Sequence, residues 1–415
     1  DTIVAAEEPE VIELGYVYRS ESKSLFENEL RNSDAKARKW SNVRDGVQNG
    51  NIIDMFLDKT NRKIYIAGHF KHVDNIPIEN IAVFDMNTRM WKHVGGGVPQ
   101  VTSSIAIDEA NEDVYIGGIF SKVGKGDGEI KANNIARYSV KENKWTALGE
   151  GLNRDCTSLA FDKKRNVLYA AGSFTMSGKS ELRYVAIYDL TNNIWKPLEG
   201  GTVNAPCRVL MKPEMRDELY LGGLFTHVNE ELHVSYIAKY DLEKNTWHSL
   251  SGGLQGYCNS LAIDDASESL YVGGTFINAG EGENSVDAHH IAKYNMKTSL
   301  WDNMAGGVNN VVHSIYHDTE SKMLFIGGSF TNTYENDIVL NYIAKYNPEK
   351  NEWSALENYF PNTNPKEPNH TVGLDGGCKG ISIDGKSLYI AGKFRNAGNI
   401  SANSIARYAL TRSSL

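Results

Sequence analysis

Short runs in which hydrophobic residues alternate with polar or small residues recur along most of the chain. One unit consists of NSLAID at 259–264, SLYVGGTF at 269–276, HIAKYN at 290–295 and LWDNM at 300–304. Alternation with a period of two predicts β-strands, and short connections rich in Asp, Asn, Lys and Ser predict hairpin turns. The unit therefore predicts four short antiparallel strands, which are named a to d in chain order.

This unit is repeated, which is shown by three landmarks that recur together. A phenylalanine follows a Gly-Gly or Ala-Gly pair at the end of strand b, at Phe70, Phe120, Phe174, Phe225, Phe276, Phe330 and Phe394. Strand c carries an aromatic residue at Phe84, Tyr138, Tyr188, Tyr240, Tyr294, Tyr346 and Tyr408. The seven tryptophans, spaced 50 to 54 residues apart, are Trp40, Trp91, Trp145, Trp195, Trp247, Trp301 and Trp353. Four-stranded units at this spacing predict the blades of a β-propeller.

The order of a hydrophobic run, two glycines, a spaced tyrosine and a tryptophan resembles the kelch repeat across residues 40–411. The resemblance implies an all-β, seven-bladed β-propeller with four-stranded antiparallel blades, in the same superfamily as galactose oxidase. The repeats look most like those of extracellular kelch-like proteins, such as fungal cell-surface polarity markers and bacterial secreted propellers. Kelch-type propellers also include actin binders and ligase adaptors, so the resemblance predicts the fold far better than the function.

The seventh copy ends soon after its strand c, without a tryptophan of its own. The missing pattern occurs near the other end of the chain, in RKWSNVRDGV at 38–47. We therefore expect this N-terminal segment to supply strand d of blade 7, because an incomplete blade would expose an unpaired sheet edge.

These patterns predict an N-terminal extension at 1–36, containing a short helix, and a propeller at 37–415. The closing strand is predicted at 37–47, and the blades at about 50–98, 100–152, 154–201, 205–254, 256–308, 310–358 and 377–411. The connection at 357–376 is an insertion between blades 6 and 7, and loops of that length are often functional.

Composition restricts the classes of partner. The formal net charge is −9 and no basic run is present, which argues against nucleic acid and anionic membranes as partners. No stretch reaches the apolar length of a transmembrane helix. Two sequons, at Asn369 and Asn399, favour an extracellular or cell-surface location.

Four cysteines occupy the start of strand a, the strand predicted to be innermost. They are Cys156, Cys207, Cys258 and Cys378. We expect them at the mouth of the central channel, either as a ring of soft-metal or redox ligands or as packing residues. Packing is favoured because other copies place Ile52, Thr102 or Val312 there and no Cys-x-x-Cys spacing occurs. Accordingly, no metal and no cofactor are expected.

In a propeller the d–a and b–c connections share one face, here called the loop face, and the a–b and c–d hairpins form the opposite turn face. The longer and more variable connections of this chain are on the loop face, so binding is expected there. The predicted ligand-binding residues are Arg154, Arg208, Tyr257, His289, His290, His313 and Lys379. Tyr184, Tyr236 and Tyr342 occupy the position of His290 in other copies.

Two functions remain open from the sequence. The first is a non-catalytic, secreted or cell-surface binding module with a protein or glycan ligand on the loop face. The alternative is a carbohydrate-active enzyme, a polysaccharide lyase or an oxidase, with its site at the channel mouth. No GxSxG, HExxH or phosphate-binding glycine motif occurs, and no catalytic residue can be named. An apolar exposed face would favour a protein partner.

Overall fold

The computed structural model describes residues 39–357 and 373–410. The chain divides into two units, Asp1–Lys39 and Trp40–Leu415, and the second contains all the elements given below. The predicted N-terminal helix, Asn369 and most of the predicted insertion at 357–376 lie outside the described residues. No helix within the described residues has the length and apolar character needed to cross a membrane.

The described residues form seven four-stranded antiparallel sheets, each with strands in the spatial order a, b, c, d. Sheets 1 and 2 are Asn51–Asp58, Lys63–His69, Ile81–Asp85, Met90–His93 and Thr102–Asp108, Asp113–Gly118, Ile135–Ser139, Lys144–Ala147. Sheets 3 and 4 are Cys156–Asp162, Val167–Gly172, Val185–Asp189, Ile194–Pro197 and Cys207–Met211, Glu218–Gly223, Ile237–Asp241, Thr246–His248. Sheets 5 and 6 are Cys258–Asp264, Ser269–Gly274, Ile291–Asn295, Leu300–Asp302 and Val312–Asp318, Met323–Gly328, Ile343–Asn347, Glu352–Ala355. Sheet 7 is Gly377–Asp384, Ser387–Lys393, Ile405–Ala409 and Trp40–Asn42.

The b–c connections carry short structure of their own on the loop face. Small hairpins are formed by His72–Val73 with Ile76–Pro77, Lys122–Val123 with Ile130–Lys131, Met176–Ser177 with Ser180–Glu181, His227–Val228 with Leu232–His233, Asn278–Ala279 with Val286–Asp287, and Asn396–Ala397 with Ile400–Ser401. The strand Val47–Gln48 pairs with the first of these hairpins. Two 3₁₀ turns, Gly126–Gly128 and Gly282–Asn284, complete the connections of sheets 2 and 5.

The prediction of an all-β propeller with four-stranded antiparallel blades is confirmed, and the strands predicted at 259–304 agree within one or two residues. The closing strand predicted at 37–47 is shorter, Trp40–Asn42, and Val47–Gln48 pairs with the first b–c hairpin instead. The polar connections form tight hairpins because an Asp side chain accepts hydrogen bonds from the turn amides. Asp58 Oδ1 accepts from the amide of Asn61 at 2.8 Å, and Asp189 Oδ1 accepts from the amide of Asn192 at 3.0 Å.

The tryptophans of strand d join neighbouring sheets. Each stacks at an angle on the strand-c aromatic residue of its own sheet, with ring centroids 4.9 to 5.1 Å apart. Six of the indole N–H groups donate to a carbonyl that follows strand d of the preceding sheet, as Trp145 does to Gly95 at 2.7 Å. The repeating tryptophan therefore supplies both buried area and a directional bond between sheets.

Both ends of the described chain contribute to sheet 7. Trp40–Asn42 pairs antiparallel with Ile405–Ala409, in the register Trp40 to Tyr408 and Asn42 to Ala406. Trp40 is 5% exposed, and its ring centroid is 4.9 Å from that of Tyr408. The first strand of each sheet packs against the first strand of the next, and the first strand of sheet 7 packs against that of sheet 1.

Each innermost strand contains a β-bulge one residue after the cysteine-equivalent position. The register between strands a and b shifts there in all seven sheets. The second glycine of the glycine pair faces the bulge, and a Cβ at Gly118 would lie 2.9 Å from the Cα of Thr102. Only glycine permits this close approach of two backbones. The bulged residues are Ile53, Ser103, Thr157, Arg208, Asn259, His313 and Lys379.

Candidate functional site

The bulged residues occupy equivalent positions on the first strands of the seven sheets, and the space that these strands border is here called the axial space. All seven are partly or fully exposed, whereas the residue before each of them is buried. A bulge re-aims a side chain relative to the regular alternation of a strand. The lining is asymmetric, because sheets 1 to 3 contribute Ile53, Ser103 and Thr157, and sheets 4 to 7 contribute Arg208, Asn259, His313 and Lys379. One side of the axial space is therefore cationic.

The guanidinium of Arg208 is held in place by the next sheet. Its Nη1 donates to Asn259 Oδ1 at 3.0 Å, and its Cζ lies 5.2 Å from the ring centroid of Tyr257. Tyr257 is 39% exposed and contacts Tyr236 edge-on, with centroids 5.7 Å apart. The hydrogen bond and the cation–π contact fix an exposed arginine at the axial space before any ligand binds.

Burial and nearby charges lower the pKa of two further groups of this cluster, His313 and Lys379. Burial, reinforced by the charges of Lys379 and Arg208, lowers the pKa of His313 to about 4. Burial and the charge of Arg208 also hold the pKa of Lys379 below its ordinary value. His313 Nε2 is 3.0 Å from Ser329 Oγ. At neutral pH the cluster therefore contains a neutral imidazole beside two cations.

No carboxylate balances these cations among the described residues. Neither Arg208 nor Lys379 takes part in an ion pair there, whereas Arg165 on the turn face lies 2.7 Å from Asp217. An unpaired, partly buried ammonium is unfavourable on its own, so this arrangement attracts an anion.

Within the described residues, His289, His290 and Arg154 make no hydrogen bond, ion pair or ring contact with Arg208, His313 or Lys379. His289 Nε2 is 3.0 Å from Asp287 Oδ1. The geometry is not that of a hydrogen bond, so this buried nitrogen has no hydrogen-bond partner among the described residues. The ring of His289 stacks on Tyr334 with centroids 3.3 Å apart. His290 has φ of 65°, and burial lowers its pKa. Arg154 is exposed in the connection before strand a of sheet 3.

The expected position of the cysteines at the channel mouth is wrong. All four thiols are free and buried, and each faces the neighbouring sheet. A Cβ on Gly117 would lie 2.7 Å from Cys156 Sγ, and a Cβ on Gly222 would overlap Cys258 Sγ. Burial raises the pKa of Cys258 and Cys378 to about 12, so these thiols stay protonated. Cys156, Cys258 and Cys378 fill the space left by a glycine in the preceding sheet, whereas Cys207 shares a buried cluster with Ala171 of sheet 3.

Within residues 39–357 and 373–410, no three His, Cys, Asp or Glu side chains converge as the ligands of a metal ion would. The cysteines themselves lie at separate boundaries between sheets, against Gly117, Gly222 and Gly327 among others. Their environment is that of packing residues.

Exposed apolar residues concentrate on one part of the loop face. Half of the ten exposed large hydrophobic residues of the described chain belong to the connections of sheets 5 and 6. They are Tyr257, Ile277, Tyr334, Ile338 and Val339, here called the apolar patch. Tyr257 belongs both to this patch and to the surroundings of Arg208. The sequence missed the other four because each is a single hydrophobic residue in a polar loop.

Two depressions on the loop face lie elsewhere, at equivalent boundaries between sheets. One of about 480 Å³ is lined by Gln100, Ile119 and Asn153 between sheets 2 and 3. The other, of about 540 Å³, is lined by Gln48, Asp375 and Arg395 between sheets 7 and 1. Neither includes Arg208, His313 or Lys379, so the cationic cluster is a feature of the axial space and not of these depressions.

Comparison with known proteins identifies relatives of the fold. The family model described as the Rax2 C-terminal beta propeller domain matches residues 94–216 and 237–375, more than half of the chain. The crystal structure of the RRP9 WD40 repeats is similar with a TM-score of 0.58 and 11% sequence identity, covering 90% of this chain and 98% of that chain. The structure of U3-55K gives a TM-score of 0.57 and 11% identity, covering 90% and 99%. These WD40 neighbours support a β-propeller, and the kelch-type assignment stays a prediction.

Proposed function

Since this chain belongs to the family of Rax2 C-terminal β-propeller domains, we propose that it is a non-catalytic binding module that holds a protein partner on its loop face. The observation that carries the proposal is the apolar patch, where Ile277 and Tyr334 are each 50% exposed. Large exposed apolar areas on a soluble domain mark interaction surfaces. Aromatic and aliphatic anchors beside a fixed arginine are the composition of a protein interface.

Site-specific photo-cross-linking tests this proposal and does not require the partner to be identified beforehand. A photoreactive amino acid is placed at Ile277 or Tyr334 on the loop face, in cells that produce the chain naturally. Matched controls carry it at Met215 in a turn-face hairpin, 83% exposed, and at Leu300 at the start of a strand d, 48% exposed. We expect a discrete adduct with one protein from the two loop-face positions only. Adducts from Met215 and Leu300, with none from Ile277 and Tyr334, would show that the partner binds the other face.

The enzyme alternative is less well supported by the same residues. A general base works best when its pKa is close to the working pH, and His313 has a pKa of about 4. No described carboxylate pairs with Arg208 or Lys379 to act as an acid or base beside it. Incubation with an acidic polysaccharide, followed by measurement of unsaturated uronate ends, would detect a lyase. We expect no turnover.

We also propose that the seven sheets form one closed ring that Trp40–Asn42 completes. The pairing of Trp40 with Tyr408 and the packing of the first strand of sheet 7 against that of sheet 1 support this arrangement. A closed ring leaves no sheet edge at the junction of the two chain ends.

A secreted or cell-surface location is a further part of the proposal. Asn399 is exposed in the turn of the hairpin formed by Asn396–Ala397 and Ile400–Ser401, within its sequon. An exposed sequon on a tight hairpin is accessible to glycosylation. A mobility shift that glycosidase treatment removes, and that Asn399→Gln reduces, would support this location. Unmodified Asn399 in the natural protein would count against it.

A further inference from the structure

We infer that the partner inserts one acidic side chain into the axial space, where Arg208, His313 and Lys379 bind its carboxylate. This inference rests on the proposed function, because it specifies the chemistry by which the loop-face partner is recognised. It concerns the innermost strands and not the apolar patch, so the two can be tested separately.

The first argument is the charge of the cluster. The chain as a whole has a formal charge of −9, yet the bulged positions of sheets 4, 6 and 7 are Arg208, His313 and Lys379. Among the described residues, Arg208 donates one guanidinium N–H group to Asn259 Oδ1 and has no carboxylate partner. Arginine binds carboxylates through paired N–H groups, so donors remain for a ligand.

The second argument concerns the class of anion. Some cations elsewhere on the loop face have acidic partners, among them Arg44 with Asp74 at 3.0 Å and Lys122 with Glu129 at 2.9 Å. A polyanionic chain such as an acidic glycan needs a continuous basic track, and these pairs interrupt it. An isolated cluster at the end of an axial space matches a single carboxylate from a polypeptide.

The third argument is that the charges of both cations act on His313. The charges that face it are those of Lys379 and Arg208, and its Nε2 is close to Ser329 Oγ. A bound carboxylate would offset both cations, so the imidazole would accept a proton as the ligand binds. Proton uptake makes affinity rise as pH falls, by at most about tenfold per pH unit for one proton.

Calorimetric titration of the full chain with a synthetic peptide, glutamates flanked by Gly-Ser segments, tests the inference. In two buffers of different ionisation enthalpy, binding should take up a proton, and affinity should increase between about pH 7 and about pH 5. Arg208→Gln and Lys379→Gln should each weaken binding about 10-fold or more, as expected for a lost charged hydrogen bond. Arg395→Gln and Lys393→Gln, exposed cations of the same face, are the matched controls and should stay within about threefold.

His313→Asn separates recognition from proton uptake. The amide can still pair with Ser329 Oγ, so binding near neutral pH should persist while the pH dependence disappears. Melting temperatures of all variants establish that they fold. Absence of peptide binding at millimolar concentration, or equal losses in the two control variants, would overturn the inference.

The same titration with polygalacturonate examines the other class of anion. If it binds through Arg208 and Lys379 while the peptide does not, the partner class is wrong. The cross-linking result keeps the two proposals distinct. Adducts at Ile277 and Tyr334 without peptide binding would contradict only the inference of an inserted acidic side chain. Peptide binding without loop-face adducts would contradict only the proposal that a protein partner binds the loop face.

Discussion

Asp54 of sheet 1 accepts a hydrogen bond from the backbone amide of Ile105 in sheet 2, with Oδ2 2.8 Å from the nitrogen. The residue after the bulge makes the same link at three other boundaries. Ser104 Oγ accepts from Leu159, Ser158 Oγ from Leu210 and Ser260 Oγ from Ile315, at 2.9 to 3.0 Å. At these four boundaries, neighbouring sheets are therefore joined by hydrogen bonds between side chains and backbone amides of the innermost strands, in addition to the packing of their side chains.

The boundary between sheets 7 and 1 differs. Gly380 occupies the position of these serines and has no acceptor to offer. The amide of Met55, which the missing acceptor would satisfy, bonds instead to Asp54 Oδ1 at 2.8 Å. Asp54 therefore accepts hydrogen bonds from two amides, those of Met55 and Ile105, which explains why a carboxylate occupies the position that is serine in sheets 2, 3, 5 and 6.

Removing one of these links should destabilise the domain. Ser104→Ala leaves the amide of Leu159 without its acceptor, and an unsatisfied buried donor costs about 1 to 3 kcal/mol. Ser103→Ala, at the adjacent bulge facing the axial space, should change the free energy of unfolding by less than about 0.5 kcal/mol. Urea unfolding of both variants measures the difference. Equal effects would mean that the hydrogen bond to Leu159 adds nothing.

Asp54 should also make stability depend on pH. Burial outweighs its two amide hydrogen bonds and raises its pKa to about 6, from 3.8 in the unfolded chain. Because the folded pKa is higher, the folded state binds the proton more tightly. The stabilisation from the protonated side chain is complete below about pH 4 and is lost as pH rises through about 6.

Asp54→Asn cannot titrate, so the wild-type chain should lose stability relative to this variant as pH rises across that range. The relative change should be on the order of 3 kcal/mol. Chemical unfolding of both proteins at several pH values measures it. Two parallel pH profiles would show that Asp54 titrates at its ordinary pKa in the folded chain.

The packing of thiols on glycines predicts a compensating pair. Gly222→Ala places a Cβ 2.6 Å from the Cβ of Cys258 and onto its sulfur, so overpacking should cost about 1 to 3 kcal/mol. Adding Cys258→Ala removes the sulfur, the nearer of the two overlapping atoms, while the contact between the two Cβ atoms remains, so the double variant should recover part of the stability lost in Gly222→Ala. Gly128→Ala, with no atom within 4 Å of the new Cβ, is the control and should be nearly neutral. A double variant less stable than either single one would contradict this packing role.

Trp40 should contribute strongly to the junction of the chain ends. It is 5% exposed and packs on Tyr408, and truncation of such a residue costs about 3 to 5 kcal/mol. Trp40→Ala should therefore lower the melting temperature by several degrees. Leu300→Ala, in the same strand of sheet 5 but 48% exposed, should leave it nearly unchanged. If Trp40→Ala melts like the Leu300 variant, the proposed closure by this strand is wrong.

The sequence alone was sufficient to predict the four-stranded repeating unit. Strand alternation, the glycine pair and the spacing of residues such as Tyr294 and Trp301 are local patterns, and local backbone preferences create them. For the same reason the predicted strands match the observed Cys258–Asp264 and Ser269–Gly274 closely. Arg208, Tyr257, His313 and Lys379 were also selected from the sequence as candidates, because their position relative to strand a repeats, and their role in binding stays a prediction.

The directions of side chains on the innermost strands were decided by the tertiary structure. The bulge adds one residue to strand a, and a shift of one residue exchanges the two sides of a strand. Cys207 consequently faces the neighbouring sheet and Arg208 the axial space, a distinction that the sequence pattern did not reveal. Likewise, the stacking of His289 on Tyr334, and the sharing of the Asp54 carboxylate between the amides of Met55 and Ile105, depend on which sheets meet in space. Contacts between residues about 50 positions apart leave no local pattern, because the sequence around each partner is that of an ordinary β-strand.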